Sequence, residues 1–330
     1  MAKRRNDIEK VLSQLDQLLD GSPDEETWFA LRRGLMSKHG VAVGKAAKIA
    51  AQLEWKDGIP DMLKAYDRLS HNGANADPGC IGKANIVKAL RQLKAYEPTT
   101  YIQGIRYRQF ESVWGGKEDR AAQLRAECAL ALAETGFHDA LLYIADLLAD
   151  PETEARAGAA QALSCFSGTI PVALLRLRAL SGEQNIRVLE EIFSVLFSLS
   201  GPTNSTEEED ETVRFVARFL ESSNVDLVSV AAITLGSSRR GAAFTALREF
   251  AENRPDQERQ RIAFEAIALL RLPEAFDYAL DAISRGSELE ARLAEQAMSI
   301  YRDDERLWER VETARADRKG EDDLSFLFDD

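Results

Sequence analysis

The sequence predicts an all-α fold, a right-handed α-solenoid of about seven or eight antiparallel helix pairs. Three observations support it. Apolar residues recur with a helical period along nearly the whole chain, strand-like alternation is nearly absent, and a self-similar unit recurs about every 31 residues. Because a short helix cannot bury its apolar face alone, successive units must stack and share one continuous core.

A basic anchor residue marks the second helix of each unit, and a turn or cap residue stands six positions before it. The clearest pairs are Asp77 with Lys83, Asp119 with Arg125, and Asp150 with Arg156. The pattern continues at Val228 and loosens at Arg187, Arg261 and Arg292. We expect each aspartate to accept hydrogen bonds from free N–H groups at the start of its helix. The basic side chain is expected to reach back to the turn or to the neighbouring repeat.

Two steps between anchors are about ten residues longer than the others, and each contains an insertion. The extent of the repeat pattern divides the chain into three parts. We predict an N-terminal capping helix over 1–20, a helical array over 21–316 with insertions near 96–116 and 201–211, and an acidic-aromatic tail over 317–330.

The segments DPETEARAGAAQAL (150–163) and DRAAQLRAECALAL (119–132), and more weakly SSNVDLVSVAAITL (222–235), resemble the HEAT-repeat family in its short bacterial HEAT-like form. DPGCIGKANIVKAL (77–90) followed by GIRYRQFESVWGG (104–116) is similar to a segment of uncharacterised bacterial HEAT-repeat proteins. The resemblance implies a solenoid that binds other proteins along a concave surface. It implies little else about function.

Charge favours a basic partner over nucleic acid. The chain has 42 basic and 55 acidic side chains, a net charge of −13, which argues against a protein that coats nucleic acid. Residues 1–120 carry a net +4, and residues 121–330 carry a net −17. We therefore expect a protein partner with a basic segment.

No run of 18 apolar residues is present, and no apolar core follows the basic N-terminus MAKRRNDIEK. We therefore expect neither a membrane span nor a secretory signal. Three scattered cysteines fit a reducing compartment, so we expect a cytoplasmic protein.

The first insertion is the leading candidate for a partner-binding surface. Its candidate contact residues are Arg106, Arg108, Gln109, Glu111 and Trp114. Arginine interleaved with aromatic residues is typical of interface anchors and also suits stacking on single-stranded bases. The alternative is that the aromatic side chains simply cover an irregular junction between repeats.

The acidic C-terminus EDDLSFLFDD is the second candidate, with Leu324, Phe326 and Phe328 as contact residues. Such a segment can act as a docking peptide. It can equally fold back to cover the last repeat, since terminal repeats need capping.

Catalytic motifs are absent: the sequence has no GxSxG, HExxH, phosphate loop or GxGxxG. His71, Asp77 and Cys80 fit no zinc spacing. We expect a non-enzymatic scaffold or adaptor without cofactor or metal.

Two alternatives stay open. One is activity of the HEAT-like phycobilin lyase or chaperone type. The other is nucleic-acid binding, as in HEAT-like DNA glycosylases, for which a strip of basic side chains at helical spacing is the candidate surface. The strip comprises Lys45, Lys48, Lys83, Lys88, Arg91 and Lys94.

Overall fold

The computed structural model describes residues 9, 11–19, 23–201, 210–253 and 256–325, with residue 19 and residues 319–325 as backbone only. The chain forms two compact units, residues 1–181 and 182–330. Among the described residues, no helix has both the length and the apolar character that a bilayer span requires.

Unit one contains ten helices and one hairpin among its described residues. They are α1 (11–16), α2 (Glu25–Leu35), α3 (Gly40–Gln52), α4 (Ile59–Asn72), α5 (Ile81–Gln92), α6 (Pro98–Arg106), β1 (Phe110–Val113), β2 (Gly116–Asp119), α7 (Ala122–Glu134), α8 (Ala140–Leu147), α9 (Thr153–Ala162) and α10 (Thr169–Leu180). Helices α3, α5, α7 and α9 pack side by side as an inner layer, and α2, α4, α6 and α8 pair with them on the outside.

Unit two repeats this arrangement. Its helices are α11 (Ile186–Ser200), α12 (Glu211–Ala217), α13 (Val225–Ser238), α14 (Gly241–Glu252), α15 (Gln257–Leu270), α16 (Pro273–Arg285), α17 (Glu288–Met298) and α18 (Glu305–Ser325). Helices α11, α13, α15 and α17 form its inner layer. The far end of its core contains Phe264, Leu293, Met298 and Val311, and α18 covers it. The predicted all-α fold of helix pairs is confirmed.

The anchor residues all lie near the start of inner-layer helices, from Lys83 in α5 to Arg292 in α17. The residue seven positions after the anchor fills the seam in the four clearest units. These residues are Leu90, Leu132, Leu163 and Leu235, each fully buried. The sequence pattern therefore marks the inner layer of both units.

The inner helices of unit two begin at ordinary side-chain caps. Asn224 accepts from the N–H of Asp226, and Asp256 accepts from that of Arg259. Arg261, an anchor in the sequence pattern, forms surface ion pairs with Glu258 and Glu265 of its own helix. The buried anchor arrangement described below therefore belongs to unit one.

Two predicted boundaries differ from the structure, and a third lies mostly outside the described residues. The first part of the insertion near 96–116 is helix α6, the outer partner of α7, and the extra segment is a two-stranded antiparallel hairpin that the sequence analysis missed. Helix α18 continues to Ser325, past the predicted start of the tail at 317. Of the insertion near 201–211, residues 202–209 lie outside the described residues, and Asp210 caps α12.

Helices α7 and α9 of the inner layer approach each other closely. A Cβ atom built on Gly158 of α9 would lie 2.3 Å from Cβ and 2.6 Å from Cα of Ala126 in α7. Small residues at this crossing let the two helices pack closely, as the run Ala157-Gly158-Ala159-Ala160 in the sequence indicates.

We predict that Gly158→Ala destabilises the protein by up to about 2 kcal/mol. Overpacking at a rigid site costs about 1–3 kcal/mol, and the higher helix propensity of alanine offsets about 1 kcal/mol of it. Urea unfolding followed by circular dichroism measures the change. Gly116→Ala is the control, because a Cβ there meets nothing within 4 Å. Equal stability of the two variants would show that the crossing can relax.

Candidate functional site

A buried ion pair begins the site at the turn before α5. The carboxylate of Asp77 accepts hydrogen bonds from the N–H groups of Gly82 (2.7 Å) and Lys83 (3.0 Å). The Lys83 ammonium lies 3.0 Å from Oδ2 of Asp77, and neither side chain has measurable exposure. The ammonium also donates to Oε1 of Gln109 at 3.1 Å and lies 5.1 Å from the ring centre of Tyr107. Both charges are therefore compensated inside the protein.

Gln109 connects this pair to the hairpin. Its Nε2 donates to the backbone oxygen of Asp77 at 2.9 Å and to Oε1 of Glu111 at 2.6 Å. The same Glu111 oxygen accepts from the N–H of Gly79 at 2.7 Å. Gln109 was predicted to contact a partner, but it is only 6% exposed. Its contacts instead attach the start of the hairpin to the turn before α5.

A second buried cation joins the hairpin to the next two repeats. The Arg125 guanidinium donates to Asp119 at 2.7 Å and to Asp150 at 2.8 Å, and its side chain is fully buried. Asp119 in turn accepts from the N–H groups of Gln109 and Ala121, each at 3.0 Å. One arginine therefore holds the turn before its own helix and the turn before the following helix.

Two further arginines contact Asp150 or the turn that follows it. Arg108 donates to Oδ2 of Asp150 at 2.8 Å. Arg156 donates to the backbone oxygens of Asp150 (2.9 Å) and Pro151 (2.8 Å). Arg108 was also predicted to contact a partner, but much of its donor capacity is directed inward. We call the connected set Asp77, Lys83, Gln109, Asp119, Arg125 and Asp150 the polar ladder.

Contacts within the polar ladder lower the pKa of Asp119. Burial by itself raises the pKa of Asp119, but the hydrogen bonds from the N–H groups of Gln109 and Ala121 and the contact with Arg125 outweigh burial. The net effect is a pKa below the ordinary value of 3.8. The carboxylate is therefore ionised in the folded protein at neutral pH.

The hairpin itself projects from this support. Phe110 stands opposite Asp119 and Val113 opposite Gly116, so Trp114 and Gly115 form a two-residue turn in which Gly115 has φ of 94°. Phe110 is 64% exposed and Trp114 is fully exposed. At full exposure, the Trp114 side chain is covered by none of the residues that the structure describes.

A groove of about 830 Å³ lies beside the hairpin. Its lining includes five carboxylates and two basic side chains, which belong to Glu111, Glu118, Asp119, Glu152, Glu154, Lys117 and Arg120. Pro78, Ile81, Phe110 and Ala122 supply apolar surface. Glu111 and Asp119 are already engaged by the ladder contacts, and Glu118 pairs with Arg120 at 3.0 Å. We call this cavity the hairpin groove.

The remaining candidate residues are Arg106 and three residues near the C-terminus. Arg106 is exposed and lies 5.2 Å from the ring centre of Tyr143. Leu324 lies in the part of α18 that is described as backbone only, whereas Phe326 and Phe328 lie outside the described residues. The structure thus brings Arg106, Arg108, Gln109, Glu111 and Trp114 to one region. Arg106, Arg108 and Trp114 are exposed there, Glu111 is half-buried and Gln109 is buried.

The basic strip considered for nucleic acid is interrupted. Lys83 is fully buried in the polar ladder. Arg91 pairs with Glu134 at 2.9 Å, and Lys45 pairs with Asp16 at 2.5 Å. The expectation that Lys83 shares a surface with these residues is wrong, because its helical position points into the ladder.

The site contains no cysteine whose thiol is activated. Burial raises the pKa of Cys80, next to the ladder, to about 12. Burial also raises the pKa of Cys128 and Cys165. All three are neutral thiols near pH 7, and neutral thiols are poor nucleophiles and poor metal ligands. The described residues contain no group of three or more His, Cys, Asp or Glu side chains arranged to hold a metal ion.

No family model matches the sequence, and no curated protein matches it. Among solved structures, an engineered protein is similar over 88% of this chain and 82% of its own, with 16% identity and a TM-score of 0.43. The CpcE–CpcF complex of phycocyanin lyase from Nostoc is similar over 75% of this chain and 94% of that chain, with 14% identity and a TM-score of 0.36. Human deoxyhypusine hydroxylase in complex with glycerol is similar over 89% and 98%, with 15% identity and a TM-score of 0.30. At these values the likeness assigns neither a family nor an activity.

We predict that Arg125→Met lowers the free energy of unfolding by about 3 kcal/mol, because it leaves two buried carboxylates without their shared cation. Chemical unfolding of the full chain measures it. Arg285→Met is the control, since Arg285 forms a surface pair with Asp281 and is 74% exposed. That change is expected to stay within about 0.5 kcal/mol. Similar losses in the two variants would mean that the polar ladder contributes no more than a surface ion pair.

Asp119→Asn is predicted to lower the free energy of unfolding by an amount that depends on pH. Because the pKa of Asp119 is lower folded than unfolded, its ionised form stabilises the protein above the ordinary value of 3.8. That contribution is lost as pH falls through the folded pKa. The stability gap between wild type and variant should therefore narrow from pH 7 to pH 3. The matched control is Asp281→Asn, on the exposed face of α16. A gap that stays constant with pH would assign the effect of Asp119 to shape and not to charge.

Proposed function

We propose that this chain is a non-enzymatic interaction module that binds a basic, partly apolar segment of another protein with its hairpin and the hairpin groove. The observation that carries the proposal is a fully exposed tryptophan on an arm that the buried polar ladder holds in place. An ordered support reduces the entropy lost on binding, and a central aromatic anchor typically supplies a large share of the affinity.

Charge complementarity selects the partner. Beside Asp119, which Arg125 compensates, and the Glu118–Arg120 pair, the hairpin groove is lined by three carboxylates and one basic group. Glu152 and Glu154 lie at the start of α9 and line the same groove as the hairpin residues. A lysine or arginine in the groove would face this acidic surface, which favours association with basic segments and disfavours acidic ones.

Apolar contacts supply the second part of the recognition. Ile81 is 47% exposed and Phe110 is 64% exposed, and both line the groove. A partner segment that alternates basic and apolar side chains can place its basic groups near the carboxylates and its apolar groups against these two residues. Trp114 then covers the segment from the hairpin turn.

The test is a selection from a displayed peptide library on the immobilised full-length chain. Peptides rich in both basic and apolar residues should be enriched. For a selected synthetic peptide, fluorescence anisotropy should show that Trp114→Ala weakens binding at least about tenfold, the range expected for an aromatic hot spot. The melting temperature should stay unchanged, because Trp114 is fully exposed in the described part of the chain.

Two matched controls distinguish binding at this surface from nonspecific binding. Phe29→Ala removes another exposed aromatic side chain, 68% exposed on α2, and should leave binding unchanged. Glu152→Lys/Glu154→Lys should abolish binding, whereas Glu274→Lys/Asp281→Lys on the outside of α16 should not. Enrichment of acidic peptides, or full binding by Trp114→Ala, would contradict the proposal.

A further inference from the structure

Glu111 of the hairpin differs from the carboxylates around it in having no cation. Each aspartate of the polar ladder pairs with Lys83 or Arg125. Glu118, directly opposite Glu111 in the hairpin, has Arg120 at 3.0 Å. Glu111 accepts hydrogen bonds from neutral donors and forms no ion pair with any residue in the described part of the chain. Its negative charge is therefore available to a cation from outside the chain.

Neutral donors fix one oxygen of this carboxylate and leave the other free. The N–H of Gly79 (2.7 Å) and Nε2 of Gln109 (2.6 Å) both donate to Oε1 of Glu111. Among the described residues no group donates to Oε2, and this oxygen is not one of the buried polar atoms that lack a partner, so solvent reaches it. Because Glu111 lines the hairpin groove, Oε2 is its acceptor for a ligand there.

The geometry of Glu111 favours an ammonium over a guanidinium. An oxygen of a carboxylate has two lone pairs, and the two hydrogen bonds to Oε1 use both of them. A guanidinium fork binds a carboxylate through both oxygens, so arginine could form only one of its two bonds here. An ammonium needs Oε2 alone and can turn its other donors towards Glu152 or water. Ile81, 47% exposed in the same groove, offers apolar surface to the methylene groups of a lysine.

Given the proposed function, on which this inference rests, we propose that Glu111 receives the partner's basic side chain in the hairpin groove and selects lysine over arginine. The partner then supplies the cation that Lys83 and Arg125 supply to the aspartates of the polar ladder. The hydrogen bonds to Oε1 hold the carboxylate in place before the partner arrives, which reduces the entropy lost on binding.

The test is a selection from two displayed peptide libraries on the immobilised full-length chain. Lysine is the basic residue of one library, and arginine is the basic residue of the other. The lysine library should be enriched more strongly. For a selected synthetic peptide, fluorescence anisotropy should show that exchange of its lysines for arginine weakens binding at least about threefold, and exchange for norleucine at least about tenfold. These comparisons use the wild-type protein, so they do not depend on how a variant folds.

Glu111→Gln is the second measurement, because its amide oxygen can still accept from Gly79 and Gln109. It should weaken the lysine peptide at least about tenfold and abolish the preference for lysine. Glu26→Gln, on the exposed surface of α2, removes the same charge and should change neither. Equal affinity for the lysine and arginine peptides, or full binding by Glu111→Gln, would overturn the inference and leave in place the proposed function, which Trp114→Ala tests. Enrichment of neither library would contradict both.

Discussion

The arrangement of unit one depends on three buried carboxylates. Asp77, Asp119 and Asp150 each stand before an inner helix, where free N–H groups need acceptors. Once buried, each carboxylate also requires a cation, which Lys83 and Arg125 supply. Because Arg125 serves two of these carboxylates, adjacent repeats share one charge. The spacing of the repeats and the attachment of the hairpin both depend on this compensation.

The polar ladder turns an irregular insertion into a surface with defined geometry. Gln109 and Asp119 lie at the two ends of the hairpin and are held to α5 and α7, while Phe110 and Trp114 remain in solvent. Unit one thus presents an acidic groove beside a firmly attached hairpin.

The sequence predicted the inner layer well because its signals are local. An aspartate six residues before a basic anchor reports a turn and a helix start, and these contacts span few residues. The hairpin was missed because its strands have four residues each and little apolar alternation. Gln109 looked like a surface residue among aromatic ones, and Lys83 looked like part of a basic strip. Both side chains are buried because they contact each other, although they are 26 residues apart in the chain. A periodic pattern in the sequence does not reveal such a contact.

Amide hydrogen exchange of the wild-type chain, resolved by residue with NMR, tests the central claim most directly. The N–H groups of Gln109 and Ala121 both donate to Asp119 and lie at the two ends of the hairpin. If the polar ladder holds the hairpin in place, they exchange as slowly as the amides of α7, since they open only when that helix opens. Exchange as fast as that of Gly115 in the hairpin turn would show that the arm is not held, and the binding surface built on it would lose its physical basis.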